Sequence, residues 1–210
     1  MATLSSAKTL GMVGSILLVI GSVVSSFTYF IVALIGLILT LIAVKYIADV
    51  YSDQAIFRNI IIYVIADIVG VIIGAIFIVA AALSFVGLGS TIPTMPSQLP
   101  ANWVSLVIDI LVGLLIIWAA LIISAFFLRK SFNSIAMKTG VGTFRTAALL
   151  YIIGAFLTII IIGFILIWVA WIITIVAFSK LPENTTAAQP PAMPSNTAPP
   201  PPPSAPSTPV

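Results

Sequence analysis

The chain has 210 residues, of which 61% are hydrophobic and only 6% are charged, and its mean hydropathy is +1.31. A soluble domain has about a quarter of its residues charged, so this composition excludes an ordinary soluble domain. The formal net charge of +3 does not indicate nucleic-acid binding, because the cations stand at the ends of apolar runs. The absence of Cys and His excludes disulfides, Cys/His zinc sites and a histidine general base, and no cofactor is expected.

Long apolar runs predict an all-α integral membrane bundle with six transmembrane helices. The runs 10–44 and 146–179 are each too long for one crossing, because such a helix would be ~50 Å long against ~30 Å of hydrocarbon. Each run is expected to form a hairpin, the first turning near 21–28 and the second at Gly154 or Gly163. Two short hairpins would then flank a central helix pair, and the predicted helices are 8–24, 28–46, 59–88, 103–128, 146–162 and 164–180.

The first apolar run permits a second interpretation. With Lys8 before it and Ser25 after it, the run has the length of a signal-peptide core. A second apolar run follows almost at once and no A-x-A cleavage site is present, so a retained helix is the favoured prediction.

Two charged connectors each show a short helical pattern. In 47–58, Ile47, Val50 and Tyr51 share one face, which predicts a short continuation of the second helix at the membrane interface. In 129–145, three apolar residues also share a face, and Gly140 is placed to end that helix. The three residues are Phe132, Ile135 and Ala136.

The cations determine the expected orientation. With the connector 129–145 in the cytoplasm, a six-helix topology puts all eight Lys and Arg on that side and leaves the external connections uncharged. An unbroken helix over 146–179 would instead export Lys180 and the tail. In the six-helix topology Trp168 and Trp171 lie toward the outer side. The prediction is a plasma-membrane protein with both termini cytoplasmic.

Asp67, in the third helix, is the main candidate for a site within the membrane. An intramembrane carboxyl marks an ion or proton site, or a polar contact between helices. Tyr63, one turn earlier, or a hydroxyl of the fourth helix is expected to hydrogen-bond it. Asp109, near the outer end of the fourth helix, is the second candidate. The two carboxyls are expected far apart, which excludes an aspartyl-protease pair, and the protein is predicted not to be an enzyme.

Small residues at helical spacing accompany both carboxyls. Ala66, Gly70 and Gly74 form a small-residue ladder along the third helix, and Gly113 lies on a similar stripe of the fourth. Small residues let helix backbones approach closely, so the two helices are expected to pack on each other. The Gly70–Gly74 face is also a candidate surface for a homo-oligomer.

The segment 183–210 differs from the rest of the chain, since eleven of the final thirty residues are proline. Such a segment cannot bury a core and predicts a disordered, polyproline-II-rich cytoplasmic tail after a membrane domain of residues 1–182. The spacings of Pro191 with Pro194 and of Pro203 with Pro206 match the Pro-x-x-Pro pattern that aromatic grooves bind. A soluble partner of the tail is therefore expected, besides the lipid bilayer.

Three segments carry a resemblance to a known family. They are the opening Ser5–Gly11, the connector from Tyr46 to Phe57, and the late stretch from Leu150 through Trp168-Val-Ala-Trp171 to Pro182. In these segments the chain resembles a family of small, largely archaeal membrane proteins catalogued as domain of unknown function 996. The resemblance covers about 1–182 and implies no activity and no functional residues.

Two functions are compatible with these features. A structural or scaffold protein that presents its proline-rich tail to a partner is the leading hypothesis, because the tail is of an interaction type. The alternative is a small transporter or channel that uses the intramembrane Asp67 and Asp109. An intramembrane enzyme ranks last, because the spans offer two separated carboxyls and hydroxyls but no His or Cys.

Overall fold

The computed structural model describes residues 3–21, 27–88, 103–160 and 162–183, and the predictions for the turn at 22–26, the connection 89–102 and the tail from 184 onward lie outside these ranges. Within them are six long helices and a short 3-10 turn at Thr158–Ile160. Each helix is long and apolar enough to cross a membrane, which confirms the predicted all-α membrane bundle. The helices are α1 Leu4–Gly21, α2 Phe27–Val50, α3 Gln54–Leu88, α4 Trp103–Thr139, α5 Thr143–Leu157 and α6 Ile162–Ser179.

Consecutive helices pair as three antiparallel hairpins, α1–α2, α3–α4 and α5–α6. The first pair approaches most closely at Gly14, where a Cβ atom would lie 2.7 Å from the carbonyl oxygen of Gly36. In the second pair, a Cβ atom on Gly113 would lie 2.8 Å from the carbonyl oxygen of Gly74. Larger residues would hold these backbones apart, so small residues set both contacts. Each hairpin packs on the next, and α6 packs on α1, so the helices form a closed ring.

All eight Lys and Arg residues lie at one end of the ring, which is called the basic end here, and the opposite end is called the apolar end. Lys8 of α1 forms a 2.9 Å ion pair with Glu183, just after α6. Lys138 of α4 lies 3.9 Å from Asp53, in the turn between α2 and α3. The positive-inside rule predicts that the basic end faces the cytoplasm.

The buried core lies toward the basic end. Phe144 of α5 contacts Phe132 of α4 edge-on at 5.5 Å and Phe178 of α6 at 5.1 Å. The Phe178 ring also packs on Gly11 of α1, so four helices meet along this row of phenylalanines. Toward the apolar end, α3 and α4 instead expose large aliphatic side chains, among them Ile72, Ile76, Leu111 and Leu115.

The second helix continues into the connector 47–58, as predicted, but its apolar face packs against other helices instead of lying at the membrane interface. α2 continues to Val50, and α3 begins at Gln54 instead of 59. Ile47 and Ile56 are both fully buried, so both ends of the connector pack into the core. The apolar face expected at the membrane surface is therefore a helix-packing face.

α4 also extends further than predicted, through most of the connector 129–145. It ends at Thr139, and Gly140 follows with a φ of 73°, so this glycine ends the helix as predicted. Phe132 is buried in this extension, and Ser131 Oγ donates a 2.9 Å hydrogen bond to the backbone oxygen of Ile56. These contacts with α3 and α5 hold about three additional turns of helix in place.

The run 146–179 is divided into two helices, as predicted, but the division does not fall at a glycine. α5 ends at Leu157 and α6 begins at Ile162. Gly154 and Gly163 face each other across the hairpin, where a Cβ atom on Gly154 would lie 3.0 Å from the Gly163 carbonyl oxygen. The two glycines thus permit the close approach of α5 and α6 beside the turn.

Candidate functional site

A cavity of about 1040 Å³ lies between α2, α3 and α6, on the apolar side of the core. Its volume is at the upper limit of typical small-molecule sites, which are about 300–1,000 Å³. Its lining is mostly aliphatic and aromatic, and α1 and α5 contribute one residue each. The lining residues are Leu18, Ala33, Leu34, Leu37, Tyr63, Asp67, Ile68, Val71, Ile72, Tyr151, Phe164, Ile165, Ile167, Trp168 and Trp171.

A row of three aromatic rings forms the floor of this cavity, on the side of the basic end. Tyr63 of α3 meets Tyr151 of α5 edge-on at a centroid distance of 5.9 Å, and their hydroxyl oxygens are 3.2 Å apart. Tyr151 in turn meets Trp171 of α6 edge-on at 6.1 Å. Buried tyrosine hydroxyls need a hydrogen-bonding partner, and these two satisfy each other. The row therefore joins three helices at one level of the membrane.

Asp67 lies one turn beyond Tyr63 on the same face of α3, because residues four apart in a helix align. Its Oδ1 is 3.5 Å from Ser124 Oγ of α4. Ser124 has one hydroxyl hydrogen, and its contact with the Leu121 carbonyl oxygen is shorter, at 2.9 Å. The bond to Asp67 is therefore the weaker of the two, and the carboxyl borders an apolar cavity with little hydrogen-bonding support.

No Lys or Arg lies at the depth of Asp67 in the part of the chain that the structure describes. The preceding cation along α3 is Arg58, ~13 Å away along the helix axis. The two ion pairs among the described residues, Lys8–Glu183 and Lys138–Asp53, are at the basic end. An unpaired charge at the centre of a membrane helix costs ~3 kcal/mol. A proton or a cationic ligand would remove that cost.

The two carboxyls that the sequence singled out do not come together. Asp109 is exposed on α4 toward the apolar end and is not among the residues that line the cavity. Tyr63 shares its hydroxyl hydrogen bond with Tyr151, and the hydroxyl beside Asp67 is that of Ser124 on α4. The cavity thus contains one carboxyl and a tyrosine pair.

The small-residue ladder of α3 packs on α4 within the same chain. A Cβ atom on Gly70 would collide with the Ala120 side chain, and one on Gly74 would lie 2.7 Å from the Gly113 carbonyl oxygen. Ala66, on the same helix, is partly buried. Because α4 covers the Gly70–Gly74 face, this face is not open to a second copy, which corrects the predicted homo-oligomer surface.

Sequence reasoning missed Tyr151 and placed Trp171 toward the outer side. Trp171 lies halfway along α6 and contacts Tyr151 at the cavity floor. One signal was present, since a tyrosine inside an apolar span needs a partner for its hydroxyl. That partner, Tyr63, is 88 residues away in the chain, and no local pattern indicates it.

Comparison with known proteins gives a family for the chain. The family described as protein of unknown function (DUF996) matches residues 32–172, a range that includes the whole cavity floor. The uncharacterized protein MJ1644 of Methanocaldococcus jannaschii is 33% identical over 182 residues, which are 86% of this chain and 94% of the relative. No solved structure matches. The chain is a multi-pass membrane protein that belongs to the DUF996 family, as the resemblance predicted.

Proposed function

We propose that this protein binds a lipophilic small molecule inside the membrane, as a carrier that catalyses no reaction. The observation that supports the proposal is the cavity of about 1040 Å³ whose floor combines Asp67 with the Tyr63–Tyr151 pair. A large apolar cavity with a few convergent polar groups is the usual form of a small-molecule site. A carboxyl within a membrane span is typical of transport pathways.

The arrangement of the two aromatic rows favours a carrier over an open channel. The row of Phe132, Phe144 and Phe178 lies between the cavity floor and the basic end. The row of Tyr63, Tyr151 and Trp171 bounds the cavity on that side, and the packed core lies beyond it, so we expect a ligand to enter from the apolar end or from the bilayer. Release at the basic end would require the hairpins to move apart, which is how alternating-access carriers operate.

Filling the cavity tests this proposal. The double variant Leu34→Trp with Val71→Trp adds two large side chains from α2 and α3, both lining the cavity. The control, Ile38→Trp with Val79→Trp, adds the same side chains to exposed positions of the same helices outside the lining.

The uncharged probe triphenylmethanol can be dialysed to equilibrium between protein-containing and empty nanodiscs. We expect the filled variant to bind it at least ~tenfold more weakly than the wild type, which corresponds to ~1.4 kcal/mol, and the control to bind as the wild type does. Equal binding by the filled variant and the wild type would contradict the proposal.

The proline-rich tail supports a second function, as a cytoplasmic scaffold at the plasma membrane. The ion pair of Lys8 with Glu183 holds the last described residue at the basic end, and the positive-inside rule predicts that this end faces the cytoplasm. The Pro-x-x-Pro spacings at 191–194 and 203–206 would then face soluble partners. A pull-down with the segment 184–210 alone should retain a soluble protein that the chain without this segment does not retain. If the segment retains no protein, the scaffold role is contradicted.

A further inference from the structure

We infer that the ligand of this cavity is a lipophilic organic cation, which binds in exchange for a proton on Asp67. Such a ligand carries one positive charge on an apolar body of rings or chains. The inference rests on the proposed intramembrane binding function and specifies its substrate class.

Charge balance at the cavity floor is the first argument. Asp67 borders the cavity, and its hydrogen-bonding neighbour among the described residues is the Ser124 hydroxyl at 3.5 Å. All eight Lys and Arg of the chain lie toward the basic end, and none of them lines the cavity. An empty site is therefore neutral only with a proton on Asp67, whereas an occupied site can be neutralised by the charge of its ligand.

The aromatic rings around Asp67 are the second argument. Tyr63, Tyr151 and Trp171 form the floor of the cavity, and Phe164 and Trp168 contribute to its wall. Aromatic rings attract organic cations, and the attraction is stronger where water is excluded. One carboxylate together with several rings in an apolar cavity therefore provides both the charge and the surface that such a cation requires.

The same walls are unsuited to other charged ligands. An inorganic cation must exchange its hydration shell for several oxygen ligands, but the lining offers one carboxyl and two tyrosine hydroxyls. Among the described residues there is no group of three or more His, Cys, Asp or Glu that could hold a metal ion. An anion would meet the Asp67 carboxyl without a Lys or Arg in the lining to neutralise it.

Binding of a monovalent cation then replaces the proton on Asp67, so the net charge of the site does not change. The O–H bond of Asp67 breaks, the proton passes to water, and the resulting carboxylate pairs with the cation. The groups that face Asp67 are Tyr63 on its own helix, Ser124 from α4, Tyr151 from α5, and tryptophan and apolar side chains from the other elements. Because these side chains do not exchange protons near neutral pH, cation affinity should rise with pH as protons are withdrawn from Asp67 alone.

Tetraphenylphosphonium and tetraphenylborate test the inference, since they share one shape and carry opposite charges. The full-length protein in nanodiscs of zwitterionic lipid is dialysed to equilibrium against empty nanodiscs with each ion. We expect the wild type to bind the phosphonium at least ~tenfold more tightly than the borate. We also expect phosphonium affinity to increase as the pH is raised and to level off once Asp67 has lost its proton. Neither measurement requires a variant, so both remain decisive if a substitution impairs folding.

Asp67→Asn keeps the size and hydrogen-bonding capacity of the side chain and removes its charge. Asp109→Asn is the matched control, because Asp109 is an exposed carboxyl of another long apolar helix, α4, and lies outside the cavity lining. We expect Asp67→Asn to weaken phosphonium binding at least ~tenfold and to abolish its pH dependence, and Asp109→Asn to leave both unchanged.

Equal binding of the two ions by the wild type, or wild-type phosphonium binding by Asp67→Asn, would overturn the inference. The proposed function would still stand if the double variant Leu34→Trp with Val71→Trp bound triphenylmethanol more weakly than the wild type. It would fail if the two bound it equally. A lipid with an amine headgroup and a soluble cation share the required chemistry. If phosphatidylethanolamine in the nanodisc competes with the phosphonium, the lipid is identified as the ligand. If it does not compete, a soluble cation is identified as the ligand.

Discussion

The two ends of the bundle are built on different principles. At the basic end all six helices meet around a core in which Phe144 and Phe178 are fully buried. Toward the apolar end α3 and α4 contact each other along a seam of small residues and direct large aliphatic side chains outward. The core shared by all six helices thus lies at one end, and the other end leaves room for the cavity between α2, α3 and α6.

The contrast follows from the solvent that surrounds each end. Lipid tails are as apolar as leucine, so an aliphatic side chain within the membrane gains little by contacting protein in place of lipid. Helices in hydrocarbon therefore associate through close packing and hydrogen bonds. The basic end provides large interlocking rings, and the apolar end provides glycines. Four measurements examine this comparison, beginning with the largest expected effect.

The predicted orientation of the two ends has the largest expected effect, because each introduced cysteine is either labelled from outside the cell or not labelled. The chain has no Cys, so a single introduced cysteine reports its own position. Met137→Cys lies at the basic end, where Met137 is 77% exposed, and Ser97→Cys lies in the connection between α3 and α4. In intact cells we expect a membrane-impermeant maleimide to label Ser97→Cys, and to label Met137→Cys only after permeabilisation. External labelling of Ser195→Cys would contradict the cytoplasmic placement of both termini.

Removing one ring from each end should give very different losses of stability. Phe144 is 0% exposed at the basic end, whereas Phe164 is 60% exposed beside the cavity. We expect Phe144→Ala to lower the free energy of unfolding by ~3–5 kcal/mol, because a cavity remains in the packed core. We expect Phe164→Ala to change it by no more than ~0.5 kcal/mol. Denaturant unfolding in detergent measures both, and similar losses would mean that the two ends are packed alike.

The small-residue seam between α3 and α4 predicts a smaller effect. A Cβ atom on Gly113 would lie 2.8 Å from the Gly74 carbonyl oxygen, whereas one on Gly142 would have nothing within 4 Å. We expect Gly113→Ala to cost ~1–3 kcal/mol by forcing the two backbones apart, and Gly142→Ala to change stability by no more than ~0.5 kcal/mol. Denaturant unfolding in detergent measures both variants. An unchanged free energy of unfolding for Gly113→Ala would show that α3 and α4 tolerate a wider spacing.

The ion pair at the surface of the basic end predicts the smallest effect. The hydrogen bond from Lys8 and its positive charge hold the pKa of the Glu183 carboxyl below its ordinary value. A lowered folded-state pKa stabilises the protein above the unfolded-state value, and the contribution disappears as the pH falls through the folded-state value. The melting temperature of the wild type should slightly exceed that of Glu183→Gln near neutral pH and converge with it in acid. A difference that does not change with pH would exclude this ion pair as its source.

The sequence by itself determined the class of the protein, the number of helices and the end at which the cations lie. A helix rises ~1.5 Å per residue and the hydrocarbon thickness is nearly constant, so length alone required the run 146–179 to be divided. The placement of Lys180 then favoured six helices over five. The end of α4 at Gly140 was also predictable, because glycine adopts a positive φ without steric cost.

Only the tertiary structure decided which helix faces meet. The extensions of α3 and α4 depend on the burial of Ile56 and Phe132 against other helices, which a local pattern cannot distinguish from an interfacial face. The sequence pattern of the Gly70–Gly74 ladder is the same whether the ladder packs on a second copy of the chain or on α4, as it does in the structure. The row of Tyr63, Tyr151 and Trp171 requires the hairpins to be arranged in a ring. Local sequence specifies helix formation and membrane depth, whereas these contacts depend on packing between segments far apart in the chain.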